Sequence, residues 1–335
     1  MPSAHLYQKA RQWDQKARQW ENAINPRDRY GYVDLLDEIT FHAELRYGDY
    51  VQLQGQGPFS AHLERWLDNL TNEHQQQALL RVFDHLTFID NDQMLALYRD
   101  AFRRIISAWM MPESTIDAML AVDYNLQRLR ALAEYQIATI TQSCDAGLLL
   151  KANDLGGLRR PVLLGPSPRL AQAAILALGD KTKGLIVCED IVGTGRQANR
   201  VLKAVETHAP TSWRILFVPL IAFEVGVKEL KRGLQRTAIE PVVILPAAHC
   251  LRAAASPEEP EMFKALREIV KSSSERVLAR NDYLDVPPKD PFGYEDSGGL
   301  IVPCHNTPNN TLPLIHHKAP QWDPLFRRLH HRESM

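Results

Sequence analysis

Only four cysteines, Cys144, Cys188, Cys250 and Cys304, occur in 335 residues, and no two stand at a CxxC spacing. This argues against a disulfide scaffold or a zinc knuckle and fits a reducing compartment, the cytoplasm. Neither sign of charge is in excess. Lys+Arg 39 against Asp+Glu 40 leaves a net charge of -1, unlike a chain that coats nucleic acid or membrane along its whole surface. Long apolar runs are also missing: no stretch approaches the roughly 18 residues of a membrane helix. The N-terminal MPSAHLYQKARQW has no apolar h-region. What remains is an ordinary globular composition, with 45% hydrophobic and 24% charged residues. The length predicts two domains of roughly 100–200 residues each.

Charge is unevenly placed. Residues 151–255 carry a net +7, between acidic flanks. A multiply charged phosphate ligand would suit such a stretch, and so would ordinary variation over a solvated surface.

The first 57 residues contain a near-duplicate, QKARQW at 8–13 and 15–20, which puts Trp13 and Trp20 seven residues apart on one helical face. The stripe suits a partner-docking segment or core packing, with core packing preferred. Residues 58–121 read as three short helices, with Ser60, Asn72 or Thr71, and Asp90 or Asp92 as caps and Pro112 as the stop. They form an all-α or winged-helix adaptor whose negative charge suits a protein partner better than DNA. Residues 122–150 read as one or two further helices through Leu126, Leu129, Leu132, Ile137 and Ile140.

The rhythm then changes. Apolar runs at 161–165, 184–188, 213–222 and 241–246 alternate with helical patterns at 168–178, 196–207 and 225–234. Uninterrupted apolar strands separated by helices predict an α/β domain with a parallel sheet buried on both faces. The expected domain spans 122–317, with 318–335 as a basic-aromatic tail.

The most specific segment is LIVCEDIVGTGRQ at 185–197. An apolar strand ends in Glu189 and Asp190, and Gly193, Thr194 and Gly195 then open a helix. Two carboxylates at a strand end suit the vicinal hydroxyls of a ribose, or a Mg²⁺ shared with that sugar. The glycines let backbone N–H groups approach a phosphate at a helix N-terminus, with Thr194 and Arg196 as further donors. No GxxxxGK[ST] loop is present, and the acids precede the glycines, which excludes a GxGxxG fingerprint.

This string resembles the phosphoribosyltransferase family signature: an apolar strand, two acids, two aliphatics and a Thr-Gly turn. The resemblance implies that Glu189 and Asp190 bind the ribose and the metal, and that Gly193, Thr194, Gly195, Arg196 and Gln197 cradle the 5-phosphate of phosphoribosyl pyrophosphate (PRPP) or of a nucleotide. It places a pyrophosphate loop after the preceding strand, at 165–169, with Ser167 and Arg169 as donors. A Pro-rich helix start is the preferred explanation of that loop taken by itself. The chain departs from the family at Gly193, where many members have an acid/base Asp, and at Gln197, where many have Thr or Ser.

A second resemblance lies in PFGYEDSGGLIVPCHNTPNNTLPL at 291–314. It is similar to the closing segment of a phosphoribosyltransferase-like subgroup from bacterial conflict systems, including retron effectors. Asp296, His305, Asn306, Asn309 and Asn310 are dense neutral and acidic hydrogen-bonding groups that suit a base or acceptor, or simply cap their own backbone. These likenesses imply a defence effector acting at C1 of ribose 5-phosphate, compatible with a homo-oligomer and with no membrane attachment. The rivals are a non-catalytic sensor of PRPP or nucleotide, and a scaffold for a retron reverse transcriptase with its RNA/DNA product.

Overall fold

A computed structural model describes residues 13–21, 31–47, 50, 57–111, 123–179, 182–279 and 289–328. Contacts divide the chain into two compact units, one built from 1–91 and 247–335, the other from 92–246. The division differs from the serial boundaries at 57, 121 and 317 suggested by sequence. The reason is where the early helices find apolar partners: Trp66 is fully buried and its indole N–H donates to Leu314 O at 2.8 Å.

The two-part unit begins with α1 (residues 13–21), α2 (Tyr32–Leu45), α3 (Phe59–Leu67), α4 (Glu73–Leu80) and β1 (Thr87–Ile89). Trp13, Ala17 and Trp20 are buried, the two indoles meet edge to face at 5.9 Å, and Trp20 Nε1 donates to Glu73 Oε1 at 2.6 Å. The tryptophan stripe is core. The rest of the first QKARQW copy lies outside the described residues, as do Pro112 and residues 329–335. Asn72 caps α4 by accepting from the Gln75 amide at 3.2 Å. Helix α3 starts after Pro58, so Ser60 lies within its first turn.

The central unit opens with α5 (Asn91–Asp100), which runs on through a π-helical turn at Ala101–Ile106 into α6 (Ser107–Met110). Then follow α7 (Tyr124–Leu132), β2 (Tyr135–Thr139), α8 (Ala146–Ala152), β3 (Val162–Leu163), α9 (Pro168–Leu178), β4 (Gly184–Val192), α10 (Arg196–His208), β5 (Arg214–Phe223), α11 (Glu224–Gly233), β6 (Thr237–Ile239) and β7 (Val243–Leu245). Its sheet is parallel, in the order β3-β2-β4-β5-β6, with β7 also pairing β5. Strands β4 and β5 align from Gly184↔Arg214 to Val192↔Ala222 and are almost wholly buried. Ala171 and Ile175 of α9, Val201, Leu202 and Val205 of α10, and Leu230 of α11 share one core with the strands.

One expectation needs correcting. Leu126, Leu129 and Leu132 lie on helix α7, but residues 135–139 form strand β2, not a helix. All five of its residues are buried, so no polar alternation marks it, and Ile137 and Ile140 fall three apart as they would on a helix.

The chain returns to the two-part unit with α12 (Phe263–Val277), β8 (Ile301–Pro303) and α13 (Pro313–His316). Strand β8 pairs in parallel with β1, Thr87↔Ile301 to Ile89↔Pro303. No helix among the described residues is long and apolar enough to cross a membrane.

Candidate functional site

In chain order the sheet runs second, first, third, fourth, fifth, so the direction of winding reverses between β2 and β4. In open parallel sheets ligands bind at such a reversal, beyond the carboxyl ends of the strands. Strand β4 ends there at Val192, and the chain turns through Gly193, Thr194 and Gly195 into α10. Gly195 caps the helix at φ +76, and its missing Cβ makes room: a Cβ would lie 2.6 Å from the Gly226 carbonyl of α11. Glycine is therefore demanded here by backbone conformation and helix packing, before any ligand is considered. Gly193, Thr194 and Gly195 are buried, Gln197 is half-buried and Arg196 is exposed. The first turn of α10 holds no acidic residue, leaving its positive end available to an anion.

Glu189 is buried and turned toward the loop after β2. Its Oε2 accepts the Ile140 and Thr141 amides, each at 3.1 Å, and Oε1 accepts the Thr141 hydroxyl. Burial pushes its carboxyl well above the ordinary range, the adjacent Asp190 adds to that, and the Thr141 hydrogen bonds pull the other way. Two neighbouring carboxyls in a poorly solvated place do not both ionise readily, so Glu189 holds a proton to higher pH than an exposed glutamate. Asp190 is half-buried, and its Oδ1 accepts its own following amide, Ile191 N–H, at 2.7 Å.

Thr141 escaped the sequence reading because β2 did. The signal was the polar run Thr141-Gln142-Ser143 directly after the apolar QIATI. Its hydroxyl also meets that of Ser143 at 2.7 Å, and Asp145 caps α8 by accepting the Gly147 and Leu148 amides at 2.8 and 3.2 Å. This loop, at 140–145, comes from the strand beside β4. The 165–169 segment follows β3, one strand further out. There Ser167 caps α9, accepting the Leu170 amide at 3.4 Å, Pro168 occupies the first turn, and Arg169 is exposed.

The five base or acceptor candidates belong to the other unit. Asp296 accepts the Ala253 amide at 2.7 Å and the Arg252 guanidinium at 3.3 Å, while Arg252 Nε donates to Asp296 O at 3.0 Å. Asn309 Oδ1 accepts from Arg328, and Asn310 O accepts from Gly299 N and Ser297 Oγ at 2.8 and 2.9 Å. His305 is exposed and Asn306 half-buried. Within this loop Thr307 is anchored: its Oγ1 lies 2.8 Å from Tyr50 Oη, and its amide donates to the same atom at 3.2 Å. The loop is therefore held in shape by its own unit.

Cys188 is a fully buried core thiol, pushed up to about 12 by burial. Among the described residues no cluster of three or more His, Cys, Asp or Glu is arranged to hold a metal. Mg²⁺ needs only one or two carboxylates when substrate oxygens complete its shell. Asp190 fits that part, whereas the oxygens of Glu189 are already committed to residues 140–141. Two cavities in the central unit, of about 360 and 300 Å³, are lined by residues outside 189–197.

Compared with known families, the chain matches the model of PRTase-CE over residues 63–328, from within α3 to the end of the described chain. No curated protein matches it.

Proposed function

Because this chain belongs to the PRTase-CE family and so carries a phosphoribosyltransferase-like domain, we propose that the turn after β4 binds the 5-phosphate of PRPP or of a nucleotide. The observation that carries this reading is the Gly195-closed turn at the sheet reversal, from which α10 starts with no acidic residue in its first turn and with the Arg196 amide donating to Thr194 Oγ1 at 3.5 Å. The amides opening α10, with Thr194, Arg196 and Gln197, hold the phosphate. Asp190 holds the ribose hydroxyls and, with the ligand's oxygens, a Mg²⁺. Such an ion would neutralise charge on departing pyrophosphate. Glu189, Thr141 and the 140–145 loop fix the geometry of the opposing wall. Ser167 and Arg169 are secondary donors.

If catalytic, the domain loosens the C1 bond of ribose 5-phosphate, and electrostatic positioning supplies most of the rate. The likeness of 291–314 to conflict-system effectors supports a role in bacterial anti-phage defence beside a retron reverse transcriptase and its RNA/DNA product, with the segment 58–121 as a winged-helix-like docking element. Gly193, in the place of an acid/base Asp, favours a second reading, a sensor that binds without turnover.

Calorimetry with PRPP and Mg²⁺ tests the site. Asp190→Asn combined with Arg196→Ala is expected to weaken binding at least tenfold, and unchanged affinity would overturn the assignment. Release of pyrophosphate or base on incubation selects the enzyme over the sensor.

A further inference from the structure

Helix α9 is apolar on both sides. Its inner face, with Ala171 and Ile175, belongs to the core of the central unit. Its outer face carries Leu170 and Leu176, 52% and 63% exposed, together with exposed Ala173 and Ala177. Arg169 and Gln172 are the only polar side chains of the helix, and none is acidic. An ordinary surface helix turns a polar face to water, whereas one that is apolar all round is covered on both sides.

Helix α10 packs beside α9 on the same side of the sheet and shares that core. Its outward residues are cationic: Arg196, Arg200 and Lys203, at i, i+4 and i+7, are exposed. The one acid of α10, Glu206, is half-buried and takes the Gln235 and Arg236 amides at 3.1 and 2.8 Å. The outer surface of the helix pair is thus an apolar strip beside a cationic one.

Helix α2 carries the complementary pattern. Leu35, Leu36 and Ile39 enter the core of the two-part unit. On the opposite face stand Asp34, Asp37, Glu38 and Glu44, all exposed, and among them Phe41 and Leu45, 58% and 59% exposed and one turn apart. The helix contains no lysine or arginine. Two large apolar side chains set among acids fit a surface that offers apolar area and positive charge together. A nucleic acid would answer the cations of α10 but leave the leucines of α9 uncovered.

We infer that α2 of one copy of this chain docks on the outer surface of α9 and α10 of a second copy. Phe41 and Leu45 cover the apolar strip around Leu176, and the acids of α2 face Arg200 and Lys203. Two copies related by a two-fold axis make the contact twice and leave neither surface unpaired, so a closed dimer is the expected assembly. The contact does not depend on the reading given to the turn after β4.

Sedimentation of the full-length protein tests this. A dimer is expected at micromolar concentration, loosened by high salt because the charged part of the contact is screened. Two charge-reversed variants change only exposed positions: Asp37→Lys with Glu44→Lys on α2, and Arg200→Glu with Lys203→Glu on α10. Each alone is expected to weaken association at least tenfold with the melting temperature held. Mixing the two is expected to restore it, because the reversed α2 of one then meets the reversed α10 of the other and the unaltered helices meet as before. Phe41→Gln with Leu45→Gln is expected to weaken association tenfold at constant charge, and it serves if a reversed variant folds poorly. A monomer at high micromolar concentration, indifference to these variants, or no recovery on mixing, as for a contact within one chain, would each overturn the inference. Association lost on nuclease treatment would overturn it too, by giving the cationic strip to nucleic acid.

Discussion

Glu189 and Thr141 hold each other across the reversal point of the sheet: one carboxyl takes both the amide and the hydroxyl of the threonine. The strand that carries the paired acids is thereby tied to the loop of its neighbour. The arrangement makes Glu189 a clamp as much as a ligand group, and it gives the residue a measurable signature.

That signature is a pH dependence. The folded-state carboxyl is raised above its ordinary 4.5, so between that pH and the raised value the folded protein holds a proton that the unfolded chain has released. Stability then falls as pH rises through this window, by about 1.4 kcal/mol per pH unit. Glu189→Gln removes the titration and can keep the hydrogen bonds, its oxygen facing the two amides and its NH₂ the hydroxyl. Urea unfolding at pH 5, 6 and 7 is expected to show the variant gaining on the wild type as pH rises. A constant difference would count against the raised carboxyl.

Thr141→Val removes the hydroxyl while preserving shape. Loss of one hydrogen bond to a buried acceptor is expected to cost about 1–3 kcal/mol in unfolding free energy.

Gly195→Ala meets two penalties at once, the left-handed φ and the carbonyl of Gly226. Gly157 has a similar φ of +78 with nothing within 4 Å of a built Cβ. Gly157→Ala is expected to cost about 1–2 kcal/mol from strain alone, and Gly195→Ala clearly more. Equal losses in thermal unfolding would mean that the helix α11 contact is unimportant.

Arg267 and Glu259 form a buried ion pair at 2.6 Å, their side chains 7% and 11% exposed. Glu259→Gln leaves the guanidinium without its counter-charge, and a loss of about 3–5 kcal/mol is expected. Removing both partners, as Arg267→Met with Glu259→Gln, is expected to restore much of it, and a double-mutant cycle measures the difference.

Tyr50→Phe deletes a hydroxyl that accepts the Thr307 amide and donates to Arg327 O at 3.0 Å. Faster hydrogen exchange at the Thr307 amide is the expected readout, since the polar 305–310 loop loses its anchor.

Much of the parallel sheet was legible from sequence because β4 and β5 are long, apolar and separated by helices with clear starts; α9 begins at Pro168 and α10 at Arg196, as the Pro and Gly signals suggest. The short strands were not. Tyr135–Thr139 is buried on both faces and too brief for a period, and β1 and β6 have three residues each. Missing β2 displaced the reading of the neighbouring loop to 165–169 and hid Thr141. Local sequence also carries no sign that Glu189 faces inward, because that depends on which strand lies beside it. The 296–310 candidates are recognisable as polar, but partners such as Arg252 for Asp296 and Arg328 for Asn309 are set by tertiary pairing.

The order in which these segments can fold during synthesis follows from the pairing of β1 with β8. The middle unit is continuous and can condense as soon as residue 246 has emerged, whereas the first ninety residues must wait for Ile301–Pro303 before their ladder closes. Contacts so distant along the chain close slowly. Until then the nascent amino-terminal part keeps Trp66 and its apolar neighbours uncovered, which makes it the segment most in need of a chaperone during synthesis.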